Sequence, residues 1–145
     1  MATERRAEVT WQGSLMEGSG TIRSTTSGAI GEQQVTWAAR AEEPESLTSP
    51  EELIAAAHAA CFSMALAHNL AGEGHTPEQL DTSATVTFQP GEGITEVALT
   101  VAGRVPGLEE EAFRTAAQDA KDTCPVSKAL AGVPEITVDA RLERV

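Results

Sequence analysis

Hydrophobic and polar positions alternate over the first forty residues in the manner of strands. Ala7 to Trp11, Thr21 to Thr25 and Val35 to Arg40 each read as a half-buried strand, with Gly-rich and polar turns between them. Together they predict a β-meander. An acidic connector, Ala41 to Ser46, follows, and the period then changes. Ser49 stands as a helix N-cap, Pro50 at the first helical position and Glu52 at the third, completing a capping box. The run beyond, to Leu66, is apolar nearly all the way round, and Gly72 and Gly74 with Pro77 close the helix.

Two strands with clean alternation come next. Ala84, Val86 and Phe88 share one face of the first, and Val97, Leu99 and Val101 share one face of the second. After a turn at Val105 to Leu108, Glu109 to Lys121 is an amphipathic helix whose acidic first turn and late lysine suit the helix dipole. Pro125 ends it; a short helix is predicted from Pro125 to Ala131 and an alternating strand from Glu135 to Glu143. The order βββαββααβ sets strand groups around one apolar helix, which predicts an α+β fold in a single domain over residues 1–145. A sheet covers only one side of such a helix. The other side is expected to meet a second protein surface, most simply in a homodimer that packs Ala55, Ala56, Ala57, Ala59 and Ala60 against their twins. No internal repeat or low-complexity segment interrupts the pattern.

Composition narrows the function classes. The 145 residues are 41% hydrophobic and 22% charged, ordinary values for a globular domain with a real core. A net charge of −12 argues against nucleic acid and against anionic membrane surfaces as partners, since a binder of either needs clustered Lys and Arg. No apolar stretch follows Arg5 and Arg6, so the N-terminus does not read as a secretory signal, and a cytoplasmic protein is expected. The apolar run Leu53 to Leu66 is shorter than the roughly 20 residues of a membrane span and carries His58 and Ser63. Two cysteines in that setting are expected as thiols, or cycled in catalysis, rather than as a structural disulfide.

Those cysteines are differently set. Cys61 lies in the middle of the apolar helix and reads as buried, whereas Cys124 stands directly before Pro125 and reads as a helix start. The segments Ser49 to Leu66, with its His-Ala-Ala-Cys-Phe-Ser core, and Cys124-Pro-Val-Ser-Lys-Ala-Leu130 closely resemble the two signature regions of the OsmC/Ohr family of thiol peroxidases. Gly74 to Pro77 and Val105 to Gly107 extend the resemblance over nearly the whole chain. It implies an OsmC-like fold, antiparallel sheets around a central buried helix in an intertwined homodimer. It also implies a cysteine-based peroxidase acting on organic hydroperoxides, with hydrogen peroxide as a further candidate. Cys61 matches the peroxidatic cysteine, which becomes a sulfenic acid, and Cys124 the resolving cysteine that forms a disulfide with it. Glu51 matches the catalytic glutamate. Arg40 sits where the OsmC branch carries its arginine, at the end of the strand before the helix. The Ohr branch places its arginine near Gly18 to Thr21, where this chain has none, so the OsmC branch is implied. Electrons would return from a dithiol, a lipoyl-type protein or a small thiol, and no cofactor is implied.

Chemistry gives these residue types an independent reason. A thiol reacts as its anion, and burial among alanines raises its pKa unless a cation compensates. Arg40 supplies one, and Glu51 holds the guanidinium through a bidentate pair. Glu51 and Cys61 are about 15 Å apart along one helix. The expectation is therefore that two helices cross antiparallel and Glu51 of one chain meets Arg40 and Cys61 of the other.

Plainer readings stand beside these. A single cysteine on an apolar helix serves as a small hydrophobe, and Cys124 as a helix-terminal packing residue. Glu51 suits the first helical turn, and Arg40 suits a solvated strand end. His58 shares the face of Cys61, where it packs or tunes the thiol. His58, Cys61 and His68 line one face, but no Cys-x-x-Cys or His-Glu-x-x-His pattern completes a metal site, so none is expected. Phe62, Met64 and Leu66 point to an oily pocket suited to alkyl or fatty-acid hydroperoxides. The second function class is a noncatalytic stress-response dimer that binds apolar ligands.

Overall fold

Thr36 begins the first departure from the sequence pattern. In the computed structural model, which describes residues 1–143, the chain forms strands β1 (Ala7–Gln12), β2 (Ser19–Thr25) and β3 (Gln33–Val35), and then turns at once into a short helix, α1 (Trp37–Ala41). The Thr36 hydroxyl accepts the Ala39 N–H at 3.1 Å and caps α1. The strand predicted from Val35 to Arg40 is therefore helical beyond Val35, because an N-cap followed by Ala-Ala-Arg outweighs two alternating apolar residues. Arg40 lies in the last turn of a helix, not at a strand end.

The chain separates into two compact units, Met1–Leu53 and Ile54–Val145. In the first, β1, β2 and β3 pair antiparallel in sequence order, as the meander predicts. Gly20 is required there: a Cβ would lie 2.7 Å from the Trp11 ring and 2.9 Å from the Val35 side chain. This unit ends in the opening turn of helix α2 (Pro50–Gly72). Ser49 Oγ accepts the Glu52 N–H at 3.1 Å, but the Glu52 carboxylate accepts from the Thr48 hydroxyl at 2.8 Å instead of turning back to Ser49. Only one half of the capping box forms.

The second unit holds the hydrophobic core. Strands β4 (Gln79–Gln89) and β5 (Gly93–Arg104) form a long antiparallel hairpin, with a bulge between Thr87 and Phe88. Helices α3 (Glu110–Thr123) and α4 (Pro125–Ala129) then carry the chain across to strand β6 (Glu135–Leu142), which joins β5 in parallel. The three-stranded sheet β4-β5-β6 is thus mixed, a departure from the antiparallel sheets that the resemblance implied. A helical crossover returns the chain in the starting direction, and a parallel partner results.

Phe62, Leu66 and Leu70 of α2 pack with Val97, Leu99 and Val101 of β5 and with Phe113, Ala116, Ala117 and Ala120 of α3. Gly103 admits the Phe113 ring, which a Cβ would meet at 2.5 Å. The apolar alternation of β5 therefore points where the pattern predicts. Along α2, His58, Phe62, Leu66 and Leu70 form the buried stripe at spacings of four, while Ala56, Ala60 and Ala71 are exposed and Met64 retains 72% of its surface. By length and composition α2 would also cross a bilayer. The buried stripe accounts for part of that apolarity, and exposed Ala56, Ala57, Ala60, Met64 and Ala71 supply the rest. Gly74, at φ +87°, ends the helix in the left-handed conformation, with the His75 N–H reaching Leu70 O at 2.8 Å.

Candidate active site

Four polar or sulfur side chains meet at the junction of α2, α3 and α4. Cys124 closes α3, its N–H donating to Ala120 O at 2.9 Å, and opens α4, its carbonyl accepting the Lys128 N–H at 3.0 Å. Pro125 occupies the first position of α4, so Val126 and Ser127 follow as the residues whose N–H groups turn back toward the cap. Cys124 stands at a helix start, as read from the sequence, and is wholly buried, whereas Cys61 on α2, read as buried, is partly exposed. Both are free thiols.

The two sulfurs act on each other, with opposite outcomes. Burial pushes the Cys61 thiol up, and the hydrogen that it turns toward Cys124, together with the charge there, pushes it further; the Val126 N–H opposes this only in part. Burial also acts against ionisation of Cys124. It is outweighed by the Cys61 thiol, the N–H groups of Ser127 and Val126 and the Ser127 hydroxyl, and Cys124 ends below the usual thiol range. The thiol makes no capping hydrogen bond of ordinary geometry to α4, so these donors act on its anion as oriented dipoles. Within this cluster Cys124 is the sulfur that ionises more readily.

His58 completes the cluster. It is wholly buried, its Nε2 lies 2.7 Å from Ser127 Oγ, and burial lowers its pKa. Its Nδ1 has no hydrogen-bond partner among the described residues. The sequence reading placed His58 beside Cys61 but did not single out Ser127. The signal was present in Cys124-Pro-Val-Ser127, since a residue three beyond a helix cap carries both its N–H and its side chain toward that cap.

The first unit brings together the other two predicted residues. Arg40 Nε donates to Glu51 Oε1 at 3.0 Å and to Oε2 at 3.2 Å, and Nη2 donates to Oε2 at 2.9 Å. The Glu51 side chain is 8% exposed, and that of Arg40 is 32%. A buried carboxylate held by two nitrogens of one guanidinium fixes that group's plane. Glu51 thus meets Arg40 of its own chain, not that of a partner as expected.

Phe62 and Leu66 belong to the core and Met64 is exposed, so these three line no common oily pocket. An open groove of the second unit, about 760 Å³, runs past Ala59, Ala60 and Ser63 of α2 and past Thr82, Ser83 and Thr100 of the sheet. Neither cysteine lines it. Among the described residues no group of three or more His, Cys, Asp and Glu side chains is placed to hold a metal ion.

Residues 43–139 match the family model of OsmC-like proteins. The chain is 42% identical to the peroxiredoxin OsmC of Escherichia coli (strain K12) over 146 aligned positions, which span 99% of each protein. It belongs to the OsmC-like family. The organic hydroperoxide resistance protein OhrB of Bacillus subtilis (strain 168) is a more distant relative, 28% identical over 103 residues, 70% of this chain and 73% of that protein. The crystal structure of an OsmC-like protein from Mycoplasma pneumoniae has the same fold, with a TM-score of 0.68 at 19% identity over 96% of this chain and 98% of that one. The higher identity to OsmC than to OhrB agrees with the OsmC branch read from the sequence.

Proposed function

We propose that this protein is a thiol peroxidase that reduces organic hydroperoxides through Cys61 and Cys124. The observation that carries this reading is the meeting of two free thiols, remote in sequence, in one mostly buried cluster that favours ionisation of one over the other. The names of the relatives, a peroxiredoxin and an organic hydroperoxide resistance protein, support the same substrate class.

The steps start with one proton between the two sulfurs. Its transfer from Cys61 to Cys124 frees the more accessible sulfur as a thiolate. This attacks the hydroxyl oxygen of ROOH; the S–O bond forms, the O–O bond breaks, and the departing alkoxide takes the proton from Cys124 and leaves as alcohol. Cys61 is then a sulfenic acid and Cys124 a thiolate. Attack of Cys124 on the Cys61 sulfur forms the disulfide and expels hydroxide, which water protonates. An external dithiol, a lipoyl-type protein or a small thiol, returns the two electrons by thiol–disulfide exchange and becomes the oxidised partner.

The groups around Cys61 raise its pKa, so a cation from beyond them is needed to hold the thiolate at neutral pH. We assign that charge to Arg40, with Glu51 keeping the guanidinium in one orientation. The open face of α2, at Ala56, Ala60 and Met64, supports a homodimer. A cytoplasmic setting, where dithiols keep cysteines reduced, suits such a couple.

One equivalent of cumene hydroperoxide added to the reduced protein tests the couple. Both thiols are expected to disappear with release of one alcohol, and digestion should yield a peptide linking Cys61 to Cys124. Loss of peroxide without that peptide overturns the couple, and no loss of peroxide overturns the peroxidase.

A further inference from the structure

A buried histidine with one unsatisfied nitrogen is costly to keep, and His58 is the largest polar side chain in the wholly buried part of the core. Its Nε2 has one partner, Ser127 Oγ at 2.7 Å, across the junction of α2 and α4. Neither residue reaches the more exposed sulfur's chemistry in the steps above. We propose that the His58–Ser127 pair is a positioning device for Cys124, which fixes the Ser127 hydroxyl so that its hydrogen faces the Cys124 sulfur and receives the charge which that sulfur carries as it attacks and as it leaves. This rests on the peroxidase reading for its use, but not for its geometry.

The tautomer decides the direction. If Nε2 accepted from Ser127, its hydroxyl hydrogen would turn away from Cys124, and Nδ1 would carry an N–H with no acceptor among the described residues. An orphaned buried donor is rarer and costlier than an orphaned lone pair. The pair therefore settles with Nε2–H donating to Ser127 Oγ, a bare Nδ1, and the serine hydrogen free for the sulfur three residues back. Burial keeps His58 neutral, so it serves as a fixed donor and not as a charge.

Other titratable groups leave this arrangement alone. Of those near the junction, Cys61 on α2 acts on Cys124. On α3, Lys121 pairs with Asp122 at 3.4 Å and donates to Ile136 O at 3.3 Å, and Lys128 on α4 is exposed. Ser127 and His58 are thus the neutral groups that bias the couple. The consequence is directional. When a dithiol attacks the disulfide at the partly exposed Cys61 sulfur, the S–S bond breaks, Cys124 leaves with the electron pair, and Ser127 is already oriented to receive that charge.

Thiolate absorbance titration in a Cys61→Ser background tests the pair without peroxide. Ser127→Ala should cut the thiolate fraction of Cys124 about tenfold at a pH below its titration midpoint, because one hydrogen-bond donor to an anion is lost. Ser127→Thr should restore it. His58→Gln, which keeps a donor near the Nε2 position, should retain most of the fraction, and His58→Leu should lose it. Two-bond proton–nitrogen spectra of the parent should show His58 protonated at Nε2. An unchanged titration in folded Ser127→Ala, or an Nδ1–H tautomer, overturns the proposal. Failure of the peroxidase reading would show instead as a parent protein that consumes no hydroperoxide.

Discussion

Cys61 projects from the middle of a long helix and keeps part of its surface open, whereas Cys124 is wholly buried where one helix ends and another begins. Position within secondary structure accounts for the contrast. Every backbone N–H around Cys61 is committed to the helix ladder, so its sulfur finds few donors and burial prevails. The residues after Cys124 open a helix, and their N–H groups have no ladder partner to go to. The more deeply buried sulfur is consequently the one that ionises more readily. In the proposed reaction exposure sets which sulfur a peroxide meets, and backbone donors set which sulfur best bears charge.

Removing each sulfur in turn gives the largest expected effect. Cys61→Ser should lower hydroperoxide consumption by roughly a thousandfold or more, since the attacking atom is lost. Cys124→Ser should spare one turnover per chain and then stall with Cys61 oxidised, because no second sulfur resolves it. Stopped-flow peroxide assays with mass analysis of the protein check both. Sustained turnover in Cys61→Ser would reverse the roles of the two cysteines.

The cation assigned to Cys61 comes next in size. Arg40→Gln should slow the oxidation of Cys61 by about a hundredfold, comparable to removing one oriented donor from a reacting centre. Arg40→Lys should recover only part of this, as a lysine cannot reproduce the two-point hold of Glu51. Removing the arginine alone strands a buried carboxylate, so the Arg40→Gln, Glu51→Gln double variant should fold better than the single one and react no faster. Full recovery of Cys61 oxidation in Arg40→Lys would argue that orientation of the guanidinium matters little.

How much of this was legible in the sequence divides along the same physical lines. The strands β4, β5 and β6 and the helix α2 follow from alternation and capping, since each has one face committed to a core: Val97, Leu99 and Val101 are all buried as the pattern predicts. The first unit has less core to enforce a period. Val9 and Trp11 of β1 remain exposed, and Thr36 could redirect Trp37 to Ala41 into a helix at little packing cost. Cys61, Cys124, Arg40 and Glu51 came from the resemblance and from the need of a thiolate for a cation. The parallel pairing of β6 and the pairing of Arg40 with Glu51 inside one chain depend on long-range placement that no local pattern encodes. The role of Ser127 was hidden because a single serine in a helix has many plain uses until a buried histidine is found 2.7 Å away.

The smallest effect concerns the polar wall behind Cys124, which Cys61 lacks. Burial lowers the pKa of His58 from the ordinary value of 6.5, so the unfolded chain binds a proton that the native chain refuses at mildly acidic pH. Stability is therefore complete above pH 6.5, falls as the pH drops below it, and levels off once His58 protonates in the folded protein. One group changes stability by at most about 1.4 kcal/mol per pH unit. Carboxylates titrate in the lower part of this range, so the informative quantity is the difference between the parent and His58→Gln. Urea unfolding at pH 7.5, 6.0 and 5.0 should show the parent losing more stability on acidification than the variant. If the two lines run parallel, His58 carries no burial penalty, and the donor that steadies Ser127 against Cys124 would have to be a histidine already free to charge.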